Sequence, residues 1–112
     1  MEFKIRESGE IRIIDFSGRL DTSTSPAAEA AVNTLLEAGH SKLVVNLAGT
    51  DYVSSSGLRV LLVAAKKLLV MKGVIKICEP NPVVREILDI SGFSTIFDIR
   101  ETEEEALSEL QF

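Results

Sequence analysis

The chain has 112 residues, of which 46% are hydrophobic and 26% charged, with a net charge of −5. That is enough for one core, so a single domain over 1–112 is expected, and the composition excludes a disordered chain. No basic stripe of nucleic-acid type is present, and Arg59, Lys66 and Lys67 interrupt the longest apolar helical stretch, which excludes a membrane span.

The first residues, Met1–Arg6, alternate apolar and charged positions, unlike the unbroken apolar block of a signal peptide. Phe3–Glu7 and Ile11–Phe16, separated by Ser8-Gly9, read as a β-hairpin. A polar loop from Arg19 to Ser25 follows. Ser25 then suits an N-cap, Pro26 the first helical position, and Ala28, Val32, Leu35 and Leu36 one apolar helix face ended by Gly39. Lys42–Leu47 is apolar on both faces, as in a central parallel strand.

Leu47–Ser56 reads as a loop, and Leu58–Met71 as a long helix ending near Gly73. On that helix Leu58, Leu61, Leu62, Ala65, Leu68 and Leu69 are expected to face the sheet. Arg59, Val63, Lys66 and Val70 lie opposite. Val74–Cys78 reads as another interior strand, which buries Cys78; a lone cysteine forms no internal disulfide and suits a reducing cytosol. Asn81-Pro82 opens a helix through Ile90, and Ser94–Ile99 reads as a short edge strand. Thr102–Glu105 is a capping-box start for a last helix with Ala106, Leu107 and Leu110 inward. Residues 98–112 hold six acids and one base, so this segment carries the whole net charge; a solvated helix face is its default reading. The fold class that follows is α/β: one domain with a mixed, mainly parallel sheet of about five strands and four helices.

This order locates a site. Loops leaving the carboxyl ends of parallel strands share one edge, which brings Asp21 together with Ser54, Ser55, Ser56 and Gly57, and less directly the Glu79–Asn81 loop. Three hydroxyls at a strand-to-helix junction meet free backbone N–H groups and the positive end of a helix dipole, a setting that favours an anion. Serine is also an ordinary N-cap. The lone histidine, His40, sits in a turn; there is no Cys/His metal spacing and no phosphate loop with its lysine. Asp21 and Asp51 are the carboxylates near the serines, and an Asp-Ser pair without a basic partner is a poor nucleophile system. The expectation is therefore no enzyme, no cofactor and no metal. From these residues alone the chain is a soluble α/β domain that binds something at a helix N-terminus.

Motifs spread along nearly the whole chain resemble the anti-sigma factor antagonist family, the STAS domain. Phe16-Ser17-Gly18-Arg19-Leu20-Asp21 is similar to its Gly-x-Leu-Asp strand end, and Val44-Val45-Asn46-Leu47 to its aliphatic strand. Ser55-Ser56-Gly57-Leu58 is similar to its Ser-Ser/Thr-Gly-Leu signature, and Pro82–Leu88 with Ser91-Gly92-Phe93 to its later helix and turn. The resemblance implies a small cytoplasmic protein that binds an anti-sigma factor, itself a serine kinase, and so releases a sigma factor. It implies inactivation by phosphorylation at Ser55, with Ser54 and Ser56 as alternatives, and restoration by a serine phosphatase. Many members carry Asp before the modified serine, where this chain has Ser54.

The partner surface expected on this basis comprises Asp21, Ser54, Ser56, Gly57, Arg59, Val63 and Lys66, with no nucleic-acid or membrane partner. Competing readings are a STAS scaffold without a phospho-switch, a small-ligand (nucleotide)-binding module, and a nucleotide-hydrolysing enzyme using Asp21 and the serine edge.

Overall fold

A computed structural model describes residues 1–110; Gln111 and Phe112, the last two residues of the expected domain and of its acidic segment, lie outside the described residues. Five strands form the sheet: β1 (Glu2–Ser8), β2 (Ile11–Leu20), β3 (Lys42–Val53), β4 (Val74–Cys78) and β5 (Asp98–Arg100), lying side by side in that order. β1 is antiparallel to β2, with Ser8 opposite Ile11 across the turn, and every later pairing is parallel. Parallel neighbours need crossovers. Helix α1 (Ser25–Glu37) supplies the first, α2 (Ser55–Val70) the second, and α3 (Pro82–Ile90) with the single turn α4 (Phe93–Ile96) the third; α5 (Glu103–Ser108) follows β5.

Strand alternation divides the core into two layers. Ile14 and Phe16 of β2, Leu43, Val45 and Leu47 of β3, and Ile77 of β4 belong to one cluster with α1, α2 and α3. Ile11, Ile13, Val44 and Cys78 belong to a second, smaller cluster closed by Ala106 and Leu110. Gly39 adopts φ +92°, a left-handed backbone that ends the α1 region as the sequence implies. Asn81 caps α3 by accepting the Val84 N–H at 2.8 Å, and Thr102 caps α5 by accepting that of Glu105 at 3.2 Å.

Several expectations change. The stretch Leu47–Ser56, read as a loop, is mostly strand, because β3 runs on to Val53 and β2 to Leu20. Polar residues there find partners inside the fold: the buried Thr50 hydroxyl donates to Phe16 O at 2.8 Å, and Asn81 Nδ2 donates to Thr50 O at 2.8 Å. Register shifts between Asp15 and Ser17 and between Gly18 and Arg19 blur the alternation that would have marked this extension.

The expected strand at Ser94–Ile99 is instead α4 followed by β5, which raises the helical segments from four to five. The turn stacks Phe93 on Phe97, their ring centroids 5.4 Å apart. Ser25 is not the N-cap of α1. Thr24 occupies that place without a side-chain cap bond, while Ser25 is buried and donates its hydroxyl to Asp21 O at 2.6 Å.

The core face of α2 is also turned from its expected position. Gly57, Val60, Leu61, Ala64 and Leu68 are buried, whereas Leu69 is 77% exposed and Leu58, Leu62 and Ala65 are half-buried. The acidic segment is only partly a solvated face. Glu103 pairs with Arg6 of β1 and accepts from Asn46 Nδ2 at 2.9 Å; Glu109 lies 3.1 Å from Lys76 Nζ and 2.7 Å from Arg100 Nη2. Glu101, Glu104 and Glu105 stay exposed.

Candidate functional site at the start of α2

Leu20 and Val53 are register partners at the ends of β2 and β3, and the Ser54 N–H donates to Leu20 O at 2.9 Å. The Asp21 loop and α2 therefore leave the sheet from neighbouring points. Ser54 is the N-cap of α2: its backbone is extended, its hydroxyl oxygen accepts the Gly57 N–H at 3.3 Å, and its carbonyl accepts the Leu58 N–H at 2.9 Å. Helix geometry leaves the N–H groups of Ser55 and Ser56 without intrahelical acceptors, at the positive end of the helix dipole.

The three serines are not equivalent. Ser54 is half-buried and spends its hydroxyl on the cap. Ser56 is half-buried and shares a 3.1 Å hydrogen bond with the Thr22 hydroxyl. Ser55 is exposed at the first helical position, and its hydroxyl makes no hydrogen bond among the described residues.

Gly57 contributes through its missing side chain. A Cβ there would lie 2.6 Å from Leu20 O and 2.8 Å from Leu20 Cγ, so only glycine lets α2 rest on the strand ends. Residues 57, 61, 64 and 68 then share the inward face by helical spacing, which is why α2 is rotated from the Leu-based expectation.

Asp21 lies on the serine edge, but its carboxylate is turned into its own loop. Oδ1 accepts from the Ser23 hydroxyl at 2.8 Å, from the Ser23 N–H at 3.0 Å and from the Thr24 N–H at 3.3 Å. The Ser23 hydroxyl bond, with these backbone bonds, holds the Asp21 carboxyl below its ordinary range. Oδ2 sits 3.5 Å from Arg19 Nε, and Arg19 lies 4.6 Å over the Tyr52 ring. Asp21 thus shapes the loop, and Thr22 makes the contact with the serine cluster. Nothing in the polar run Asp21–Ser25 singles out Thr22; only the packing of the loop on α2 does.

A groove opens beside the serines between α1 and α2. Thr22, Ser25, Pro26 and Glu29 line one wall, and Ser56, Arg59, Val60 and Val63 the other. Arg59 is exposed and Val63 half-buried in that wall; Lys66 is exposed and does not line it. The Glu79–Asn81 segment is occupied elsewhere, with Glu79 accepting the Glu103 N–H at 2.9 Å and Asn81 bracing β3. Cys78 is fully buried, and burial pushes its thiol up to about 12, which leaves it unreactive.

Among the described residues, no three His, Cys, Asp or Glu side chains converge as a metal site. No helix among them is long and apolar enough to cross a membrane.

The BtrV protein of Bordetella bronchiseptica, provisionally named an anti-sigma factor antagonist, is 37% identical over 89 residues, covering 80% of this chain and 77% of that protein. The anti-sigma F factor antagonist of Paenibacillus polymyxa is 29% identical over 112 residues, covering 99% and 96%. The anti-sigma factor antagonist SpoIIAA in its unphosphorylated form superposes with a TM-score of 0.85 at 24% identity, covering 98% of this chain and 96% of that one. The Bacillus cell fate determinant SpoIIAA in the phosphorylated form gives 0.77 at 23% identity, covering 98% and 100%. These structures share the fold. The STAS domain family model matches residues 2–106, from the first residue of β1 into α5. The chain belongs to the STAS domain family.

Proposed function

We propose that this protein is an anti-sigma factor antagonist switched off by phosphorylation of Ser55. The observation that carries the reading is the inequality of the three serines: Ser54 caps α2, Ser56 is bonded to Thr22, and Ser55 alone presents an exposed, unengaged hydroxyl at the helix start. A relative named an anti-sigma F factor antagonist supports it, as does the structural neighbour SpoIIAA, solved in both unphosphorylated and phosphorylated forms. The partner is an anti-sigma factor that is also a serine kinase, and a serine phosphatase reverses the modification in the cytoplasm. The domain itself does no chemistry, because no base accompanies the serines.

Phosphate at Ser55 adds about −1.5 to −2 charge. At a helix N-terminus that charge is compatible with the fold. At the rim of an interface it must be desolvated or meet partner carboxylates, and a penalty of about 3–4 kcal/mol weakens binding a few hundred-fold. The switch then needs no rearrangement of the sheet. Asp21, Ser54, Ser56, Gly57, Arg59, Val63 and Lys66 surround or support this surface. Gly57 and Asp21 support it from beneath, through helix placement and loop shape.

The test uses wild type, Ser55→Ala and Ser55→Asp as baits in the source cell, with the recovered kinase then used to phosphorylate the wild type. Wild type is expected to recover an anti-sigma factor and to be phosphorylated at Ser55. Ser55→Asp is expected to lose at least about 100-fold in affinity while its circular dichroism is unchanged. Phosphate found on Ser54 or Ser56 with Ser55 unmodified would falsify the assignment. Equal binding by wild type and Ser55→Asp, with no phosphate incorporated, identifies a scaffold whose serines only cap the helix.

A further inference from the structure

The groove beside the serines does not stop there. A second hollow lies further along the same helix pair, lined by Asn33, Leu36 and Glu37 of α1 and by Lys67, Val70 and Met71 at the end of α2. The two hollows share no lining residue; one lies where α1 and α2 begin and the other where they end, so they mark the two ends of a channel between two helices running in the same direction.

Its walls are regular. Glu29, Asn33 and Glu37 stand at successive four-residue steps on α1, and Arg59, Val63 and Lys67 do so on α2. Side chains four apart form one ridge. The α1 ridge is therefore acidic at both ends of the channel and the α2 ridge is cationic at both ends. Each pair of like charges is eight residues apart, or about 12 Å at 1.5 Å per residue.

These charges are not spent within the domain. Glu29, Glu37 and Arg59 make no ion pair or side-chain hydrogen bond among the described residues, and the contact Lys67 makes is a 2.8 Å bond from Nζ to Asn33 Oδ1 across the channel. Neither Glu29 with Arg59 nor Glu37 with Lys67 forms a salt bridge among the described residues, since Lys67 turns to Asn33 instead. Between the ridges the distal hollow is apolar: Leu36 is at its floor, Met71 is half-buried, and Val70 is 84% exposed at its lip.

We propose that this channel is the seat for an amphipathic helix of the anti-sigma partner, polarised across its width. Its acidic edge faces Arg59 and Lys67, its basic edge faces Glu29 and Glu37, and like charges on each edge are two turns apart. An apolar side chain on its inner seam fills the distal hollow on Leu36, Val70 and Met71. This is the helix-in-groove mode, with the polarity of the two walls setting the direction in which the helix lies. The surface bond between Lys67 and Asn33 is exchanged for a charged partner on docking. The inference rests on the anti-sigma partner proposed above and extends its footprint from Ser55 to the far end of α2.

The experiment measures, by titration calorimetry, the affinity of the full chain for the anti-sigma factor recovered with wild type. Val70→Asp, Lys67→Glu and Glu37→Lys are each expected to weaken binding at least about tenfold, with unchanged circular dichroism because all three positions are exposed. The double exchange Glu37→Lys with Lys67→Glu is expected to bind more weakly than either single variant, since it presents a reversed field to the partner helix. Recovery of wild-type affinity in the double variant overturns the proposal, as it makes the pair an internal device.

Ser55→Asp runs beside these variants. Loss of binding in Ser55→Asp alone, with the three distal variants matching wild type, overturns the channel and leaves the serine switch standing. Loss in the distal variants with Ser55→Asp unaffected upholds the channel and removes the switch. If wild type recovers no anti-sigma factor, both fall. Sedimentation analysis covers the remaining occupant: a dimer of wild type that Val70→Asp dissociates assigns the channel to a second copy and overturns the proposal.

Discussion

On the face of the sheet that carries α1, α2 and α3, Ile14, Phe16, Leu43, Val45, Leu47 and Ile77 pack against Val32, Leu61, Leu68, Val84 and Leu88 in one apolar layer. On the opposite face α5 brings Ala106 and the chain after it brings Leu110 against Ile11, Ile13, Val44 and Cys78, and charged groups occupy the rest. There Arg6 donates to both oxygens of Asp15, at 2.7 and 2.8 Å, and pairs with Glu103, while Lys76 pairs with Asp98 and Glu109. Burial is indifferent to pH and directionless, whereas ion pairs demand one geometry and one protonation state. The serine edge hangs on the first face. The second face is therefore expected to loosen without moving it.

The largest expected effect comes from the apolar layer. Leu61→Ala, at a fully buried position, should cost about 2–5 kcal/mol in urea unfolding, and equally at pH 7 and pH 4. A loss below about 1 kcal/mol would mean that α2 is not anchored by this layer.

Gly57→Ala comes next, at about 1–3 kcal/mol, because the added methyl must push α2 away from Leu20 O. Since the same movement separates Ser56 from Thr22, phosphorylation of Ser55 should slow as well. An alanine variant as stable as wild type would show that α2 does not rest on the strand ends.

Arg6→Ala should cost about 1–3 kcal/mol, by leaving Asp15 and Glu103 part-buried without their partner. The loss should be local to α5. Cys78, beneath it, should react faster with a thiol reagent, while Ser55 phosphorylation stays at the wild-type rate. Slowed phosphorylation would erase the proposed independence of the two faces.

The smallest effect is the response to acid. The Arg6 guanidinium holds the Glu103 carboxyl below its ordinary 4.5, and Lys76 holds that of Asp98 below 3.8. Their contribution is therefore fully present above those ordinary values and is lost as pH falls through the lower folded ones. The urea midpoint of wild type should decline as pH falls below the ordinary Glu103 value of 4.5, and Glu103→Gln should decline less over the same acid range. Parallel decline in both would remove Glu103 as a source of the acid sensitivity.

Local chemistry written into single segments was enough for much of this protein. Apolar and β-branched runs marked β1 to β4, Asn81 and Thr102 capped the helices that follow them, Pro26 and Pro82 opened helices, and Gly39 ended one. Each acts within about four residues, so the sequence alone specified it. The order of those elements implied a mainly parallel sheet and placed Asp21 and the serines on one edge.

Tertiary structure decided what depends on distant partners. The extension of β3 to Val53 relies on Phe16 O and Asn81 to satisfy Thr50. The rotation of α2 could not be read from Leu58–Met71, which is apolar on nearly every side, and was set by bare backbone at Gly57 meeting Leu20. Thr22 engages Ser56 from 34 residues away and leaves Ser55 with the free hydroxyl. The acidic end looked like a solvated face until the fold brought Arg6, Asn46 and Lys76 beneath it. A charge shows its sign in the sequence, but its partner is chosen by whichever strand lies alongside.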